Sequence, residues 1–84
     1  MKYPAEVWKQ LKGKKVEEII KALERGGFKF IEKRRAQRLY QHPDGRFVII
    51  HFHPGKTYRP GLLKKILDAT GWSISDMRKF KLIK

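Results

Sequence analysis

The most regular pattern in the chain lies between Lys14 and Arg25. Val16, Ile19, Ile20 and Leu23 recur at i, i+3, i+4 and i+7, while Lys14, Glu17, Glu18, Lys21 and Glu24 occupy the other face. That spacing puts the four apolar side chains on one face of a helix. Glu17 and Lys21 form an i,i+4 pair in the favourable order. Gly26-Gly27 stops the helix, with one glycine expected in the left-handed cap position. Upstream, residues 1–13 form a lead-in segment. Pro4 suits a first helical position, and Val7, Trp8 and Leu11 share one side of a turn or two of helix. Gly13 breaks that pattern, and Trp8 is expected to lie on the core.

The period then changes. Phe28 and Phe30 alternate with Lys29, which predicts a strand over 28–34. A second strand is expected at 38–41. His42-Pro43-Asp44-Gly45-Arg46 follows as a turn, and Asp44-Gly45 is a strong hairpin signal. The third strand is 47–52, whose β-branched apolar run predicts a central or well-covered position. Short connections of this kind make an antiparallel meander. Residues 54–61 hold two prolines and two glycines and predict a loop. Leu62, Leu63, Ile66 and Leu67 then mark one face of a second helix, with Lys64 and Lys65 on the other and Gly71 at its end. Ser73 is expected to cap a short last helix, with Asp76 completing an imperfect capping box. Met77 and Phe80 are expected to face inward, and Lys81–Lys84 to form a basic tail that frays.

No repeat, linker or second composition regime appears, so residues 1–84 are expected to form one domain. The predicted fold class is α+β. A three-stranded antiparallel sheet carries two helices on one face and leaves the other face free, with a short C-terminal helix. This α-β-β-β-α order is that of the double-stranded-RNA-binding domain, although order alone does not fix function.

Charge changes the picture more than composition does. Lys and Arg number 21 against 8 Asp and Glu, a net charge of +13 in 84 residues. A small domain this basic repels itself unless an anionic partner offsets the charge. Nucleic acid is the leading partner. A membrane surface and an acidic masking protein are the rivals, and a Lys-rich solvated surface is the bland alternative. No run approaches a membrane span, and with nucleic acid the leading partner no membrane partner is expected. The N-terminus lacks the apolar core of a signal peptide, which predicts a cytoplasmic protein. The absence of cysteine excludes disulfides and thiolate metal sites. No HxxxH or HxxxD spacing is present, and no metal or other cofactor is expected.

The candidate chemistry centres on residues 33–46. Lys33, Arg34, Arg35 and Arg38 sit where the first two strands join. Alternation along a strand prevents all four from pointing one way unless the junction is a loop. A loop would fan the guanidinium groups around a phosphate; the alternative is a solvated turn. Lys56, in His53-Pro54-Gly55-Lys56, adds a further phosphate contact. His42 heads a turn and reads first as turn chemistry. His51 and His53 lie two apart and read as half-buried strand-end residues, with no third metal ligand in view. Ser73 and Ser75 read as capping residues. Tyr40, Phe47 and Tyr58 are candidates either for the core or for stacking on unpaired bases.

Several of these segments together resemble the HicA family of small ribonuclease toxins, the toxin half of HicA–HicB toxin–antitoxin pairs. They are Gly13-Lys14-Lys15-Val16 through Leu23, then Gly27-Phe28, then Arg38-Leu39-Tyr40-Gln41-His42-Pro43-Asp44-Gly45-Arg46 and the apolar strand. His53-Pro54-Gly55-Lys56, Pro60-Gly61-Leu62 through Ile66-Leu67, Gly71 and Phe80 complete the set. The resemblance runs from about Gly13 to Phe80. It implies a fold like the double-stranded-RNA-binding domain and mRNA cleavage without a metal. It also implies a HicB-like antitoxin that covers the active face.

The family's activity depends on one histidine at the start of the second strand, in a Gly-Ser-His or Gly-Gly-His motif. Counting back from His42-Pro43, the motif falls on Arg35-Ala36-Gln37, so Gln37 stands at the histidine position. Imidazole can take a proton from a ribose 2′-hydroxyl near neutral pH, and a glutamine amide cannot. Three explanations stay open. The chain is a natural silent or weakened nuclease; it is an engineered inactive form, which the altered glycine and small-residue positions argue against; or another residue, with His53 and His42 as candidates, supplies the acid/base chemistry.

Overall fold

The computed structural model describes residues 3–84. The order is α1 (Ala5–Leu11), α2 (Val16–Arg25), β1 (Lys29–Arg34), β2 (Gln37–Gln41), β3 (Phe47–His51), α3 (Pro60–Thr70) and α4 (Ile74–Lys79). The strands form one antiparallel sheet in the order β1-β2-β3. This is the expected α+β architecture, like that of the double-stranded-RNA-binding domain, with α1 added in front. Pro4 caps α1 from outside instead of opening it. Val7 and Leu11 are buried, and Trp8 is half-buried, stacked on Tyr3 and under the Lys64 ammonium.

The apolar stripe of α2 is buried as its spacing demands: Val16, Ile19 and Leu23 are inaccessible to solvent, and Ile20 packs at the rim. The helix ends in a Schellman arrangement. The Phe28 N–H reaches the Leu23 carbonyl at 2.9 Å, and the Gly27 N–H reaches that of Glu24 at 3.1 Å. Gly27 has φ +90°, the left-handed conformation in which a side chain is disfavoured. Phe28 is therefore part of this cap and fully buried, whereas Phe30 is exposed. The strand expected over 28–34 thus lacks Phe28: β1 begins only at Lys29, and it is interrupted by a register shift between Phe30 and Glu32.

On the sheet, Tyr40 pairs with Val48 and Arg38 with Ile50. Tyr40, Val48 and Ile50 face the helices and join Leu63, Ile66 and Leu67 of α3 in the core. The third strand lies at an edge of the sheet, not at its centre, and its burial alternates: Phe47 is 56% and Ile49 44% exposed. Its β-branched composition fits a pleated surface covered on one face and does not report burial on both. The C-terminal segment also departs from expectation. Leu82 and Ile83 are buried, and the Lys84 N–H donates to Gln10 Oε1 at 2.8 Å. The chain folds back because Lys81 adopts a left-handed conformation (φ +61°), letting the Leu82 N–H reach the Met77 carbonyl at 2.9 Å.

Two local devices hold the ends of elements as expected. Ser73 Oγ accepts the Asp76 N–H while the Asp76 carboxylate accepts that of Ser73, a reciprocal capping box. Gly71 ends α3 in the left-handed conformation. Among the described residues, no helix is long and apolar enough to cross a membrane.

Candidate nucleic-acid interface

Residue parity along the strands divides the basic run. Arg34 pairs with Gln37, leaving Arg35-Ala36 as a two-residue turn. Gln37 in turn pairs with His51 of β3. Cross-strand partners share a face, so Arg34, Gln37 and His51 form a row across all three strands on the face away from the helices. Lys33 and Arg38 pair with each other on the opposite face. The loop that would fan four cations around one phosphate is not formed, because strand pairing runs all the way to the turn, the alternative the sequence left open.

The turn itself is demanding. Arg35 has φ +53°, and two-residue hairpin turns need a positive φ at their first or both central residues. A non-glycine residue there costs roughly 1–2 kcal/mol. Arg35 is exposed at the tip. Arg34 Nη2 lies 3.1 Å from Glu32 Oε1, with the Arg34 side chain 77% exposed. An ion pair so open to water holds the guanidinium only weakly, so Arg34 is available to an external anion. Arg38 is engaged differently. Its guanidinium carbon sits 3.5 Å from the centre of the Phe52 ring, and its Nε is buried without a hydrogen-bond partner among the described residues.

The relation between Gln37 and His51 is fixed by the ladder. The Phe52 N–H donates to the Ala36 carbonyl at 2.7 Å, and the His42 N–H to that of Arg46 at 2.8 Å. Hydrogen-bonded pairs therefore fall on Ala36/Phe52 and every second pair from it. Gln37/His51 lies between them, in the non-hydrogen-bonded class whose Cα atoms are about 4.5 Å apart and whose side chains approach most closely. His51 is pinned from behind by the Tyr58 hydroxyl, which donates to its carbonyl at 2.9 Å. Burial, with Tyr40 and Glu17 adding to it, raises the Tyr58 pKa, so the hydroxyl keeps its proton and stays a donor.

Two shallow grooves meet at His51. One runs between β3 and α3 and is lined by Gln37, Ile49, His51, Leu62 and Lys65 among others. The other is lined by His51, His53, Lys56 and Arg59 with their neighbours. The 53–56 loop is anchored on α2. The Gly55 N–H donates to both carboxylate oxygens of Glu17 at 3.0 Å, and the Val16 N–H donates to the Lys56 carbonyl at 3.0 Å. The bond from Gly55 also lowers the Glu17 pKa. Lys56 and His53 are exposed on this anchored loop, beyond the end of β3; His53 is thus not the half-buried strand-end residue expected.

His42 is brought to neither groove. It lies at the other end of β2 from Gln37, about 17 Å away at strand rise. There its Nδ1 accepts the Asp44 N–H at 3.1 Å and its ring packs edge-on against Phe28. Of the three aromatic candidates, Tyr40 and Tyr58 are core residues, and only Phe47 presents its ring on the free face. The bare arrangement is a guanidinium, an amide and an imidazole in line, flanked by Lys56, Arg59 and Lys65. It suits an extended polyanion, and the imidazoles of His51 in the row and His53 in the adjoining groove are groups able to move a proton.

Sequence reasoning gave His51, Arg59 and Lys65 no role at the site. A usable signal for His51 did exist. A hairpin closed by His42 and Arg46 fixes the register, and five residues back from the turn on one strand meets five residues on along the other, placing Gln37 opposite His51.

A protein-family model described as the HicA toxin of bacterial toxin–antitoxin matches residues 16–72, more than half of the chain. The match takes in α2, the whole sheet, the 53–56 loop and α3. No curated protein sequence matches the chain at a significant level.

Proposed function

The chain belongs to the HicA toxin family of bacterial toxin–antitoxin systems, and from that membership we propose that it is an RNA-binding toxin whose metal-independent mRNA endoribonuclease activity is weakened at Gln37. The family implies an antitoxin partner and an RNA target. RNA lies along the free face of the sheet, held by Arg34, Arg35 and Lys56, with Lys33 and Arg38 at the turn end contributing longer-range field. A HicB-like antitoxin covers the same face, and the system works in the cytoplasm.

One observation supports this reading of Gln37. The family motif has glycine two residues before its histidine, and here that position is Arg35, whose φ is positive. The backbone there has the form glycine favours, although the residue is arginine. Gln37 thus occupies the first position of β2 on the exposed face. Its amide can hydrogen-bond a ribose hydroxyl or a phosphate oxygen but offers no titratable nitrogen near neutral pH.

The test is cleavage of single-stranded RNA by the purified chain beside Gln37→His. Restoring imidazole is expected to raise the rate about 10²–10⁴-fold. A Gln37→His variant that binds RNA but cleaves no faster would sink the assignment of this position. A second reading, a non-catalytic module that binds RNA or an antitoxin, is favoured by Arg35-Ala36-Gln37, which has neither the glycine nor the histidine of the motif. It predicts no cleavage by either protein, with RNA affinity that falls steeply with salt.

A further inference from the structure

We infer that His51 is the acid/base residue through which this chain cleaves RNA, working one strand across from Gln37; the inference rests on the toxin reading above. Among the described residues, it is the one histidine within a strand. It shares the exposed face with Gln37 and is its direct, non-hydrogen-bonded partner. Cβ atoms in such pairs lie about 4.5–5.5 Å apart, so an imidazole on β3 and one on β2 reach overlapping space above the sheet. The Tyr58 hydroxyl fixes the His51 backbone at 2.9 Å. Lys65 lines the same groove on its α3 side. His53 lines the second groove with His51 but lies in the exposed loop beyond the strand, outside the row with Gln37, and His42 is committed to the far turn.

The arrangement divides the labour. Gln37 and Arg34 hold the ribose and a non-bridging phosphate oxygen, and Lys65 offsets the charge that grows on the phosphoryl group. The His51 imidazole takes the proton of the 2′-hydroxyl. The 2′-oxygen bonds to phosphorus, and the bond from phosphorus to the 5′-oxygen breaks. The departing 5′-oxygen takes a proton from water, and the imidazolium neutralises the hydroxide left behind. The products are one strand ending in a 2′,3′-cyclic phosphate and one beginning with a 5′-hydroxyl.

The experiment uses the full chain on a single-stranded RNA, with His51→Ala, His51→Gln and Gln37→His alongside. The expected result is slow cleavage by the native chain to cyclic-phosphate ends. Both His51 variants lose at least about 10²-fold in rate with RNA affinity unchanged. Free imidazole in the buffer restores part of the cleavage by His51→Ala, a rescue that a merely structural role would not permit. His51→Gln keeps a polar side chain of similar size, so a folding defect confined to the alanine variant does not hide the answer. Unchanged cleavage by both His51 variants overturns the inference and leaves the toxin reading intact. So does a native chain that is inert while Gln37→His cleaves. Inertness of both proteins overturns the inference and the nuclease reading together.

Discussion

A glutamine keeps most of the reach of a histidine and none of its proton chemistry. In the proposed reading, that difference at position 37 weakens cleavage, while an amide on the same exposed strand position keeps hydrogen bonds to offer RNA. Other single residues decide the frame around it. Gly27 combines φ +90° with a neighbour: an added Cβ would meet His42 Nε2 at 2.9 Å. Gly27→Ala is therefore expected to destabilise by at least about 1 kcal/mol from the backbone alone, with displacement of His42 in addition. The urea midpoint should fall with the m-value unchanged. An unchanged midpoint would mean that the helix end tolerates a different cap.

At the scale of elements, the β2–β3 hairpin is closed by charge. The Asp44 carboxylate accepts two bonds from Arg46 Nε, at 2.8 and 3.0 Å, and one from the Arg46 N–H at 3.0 Å. The Arg46 side-chain bonds, then its backbone bond, lower the Asp44 pKa from 3.8 to about 2. A carboxylate whose folded pKa is depressed adds stability above its unfolded pKa and loses it as pH falls through the folded one. Thermal stability should thus decline between about pH 4 and pH 2 partly through this turn, and Asp44→Asn should flatten that part of the curve. An identical pH profile for the variant would show that the turn carries no such linkage. The same Arg46 reaches the Thr70 carbonyl, tying the hairpin to the end of α3. At the other end of the chain, Leu82 is buried beneath the Lys81 fold-back. Leu82→Ala should cost about 2–5 kcal/mol, read from the same urea curves; a loss below about 0.5 kcal/mol would mean the segment is dispensable.

These elements also show what a sequence can display. The helix stripe of α2, the Asp44-Gly45 hairpin and the Ser73/Asp76 box are local patterns, and each formed where its chemistry predicted. The Arg35-Ala36 turn carries no glycine, asparagine or aspartate, so nothing local marked it, and the basic run read as a loop. The edge position of β3 depends on which strands pair, which an apolar run does not encode. The fold-back at Lys81 rests on a left-handed lysine stabilised by distant burial of Leu82 and Ile83, a tertiary effect with no local signature. His51 falls between these cases: its place opposite Gln37 follows from turn register, once the turn is trusted.

For the whole molecule, the net charge of +13 sets how strongly any polyanion is drawn in, and the division of faces sets where it rests. Affinity for single-stranded RNA should fall with salt, with a slope of about −0.7 per phosphate neutralised on a logarithmic plot. Arg34→Ala should reduce that slope by about 0.7. Arg38→Ala should change it less, since that guanidinium already lies on the Phe52 ring. Equal effects from the two substitutions would show that general charge, and not the exposed face, governs binding.

The most direct test of the account is a titration of the chain with a short single-stranded RNA, followed by backbone amide chemical shifts. The account predicts the largest changes across the row Arg34, Gln37 and His51 and along Lys56 and Lys65, with little change on the outer surface of α2. Changes centred on α2, with that row unmoved, would contradict it.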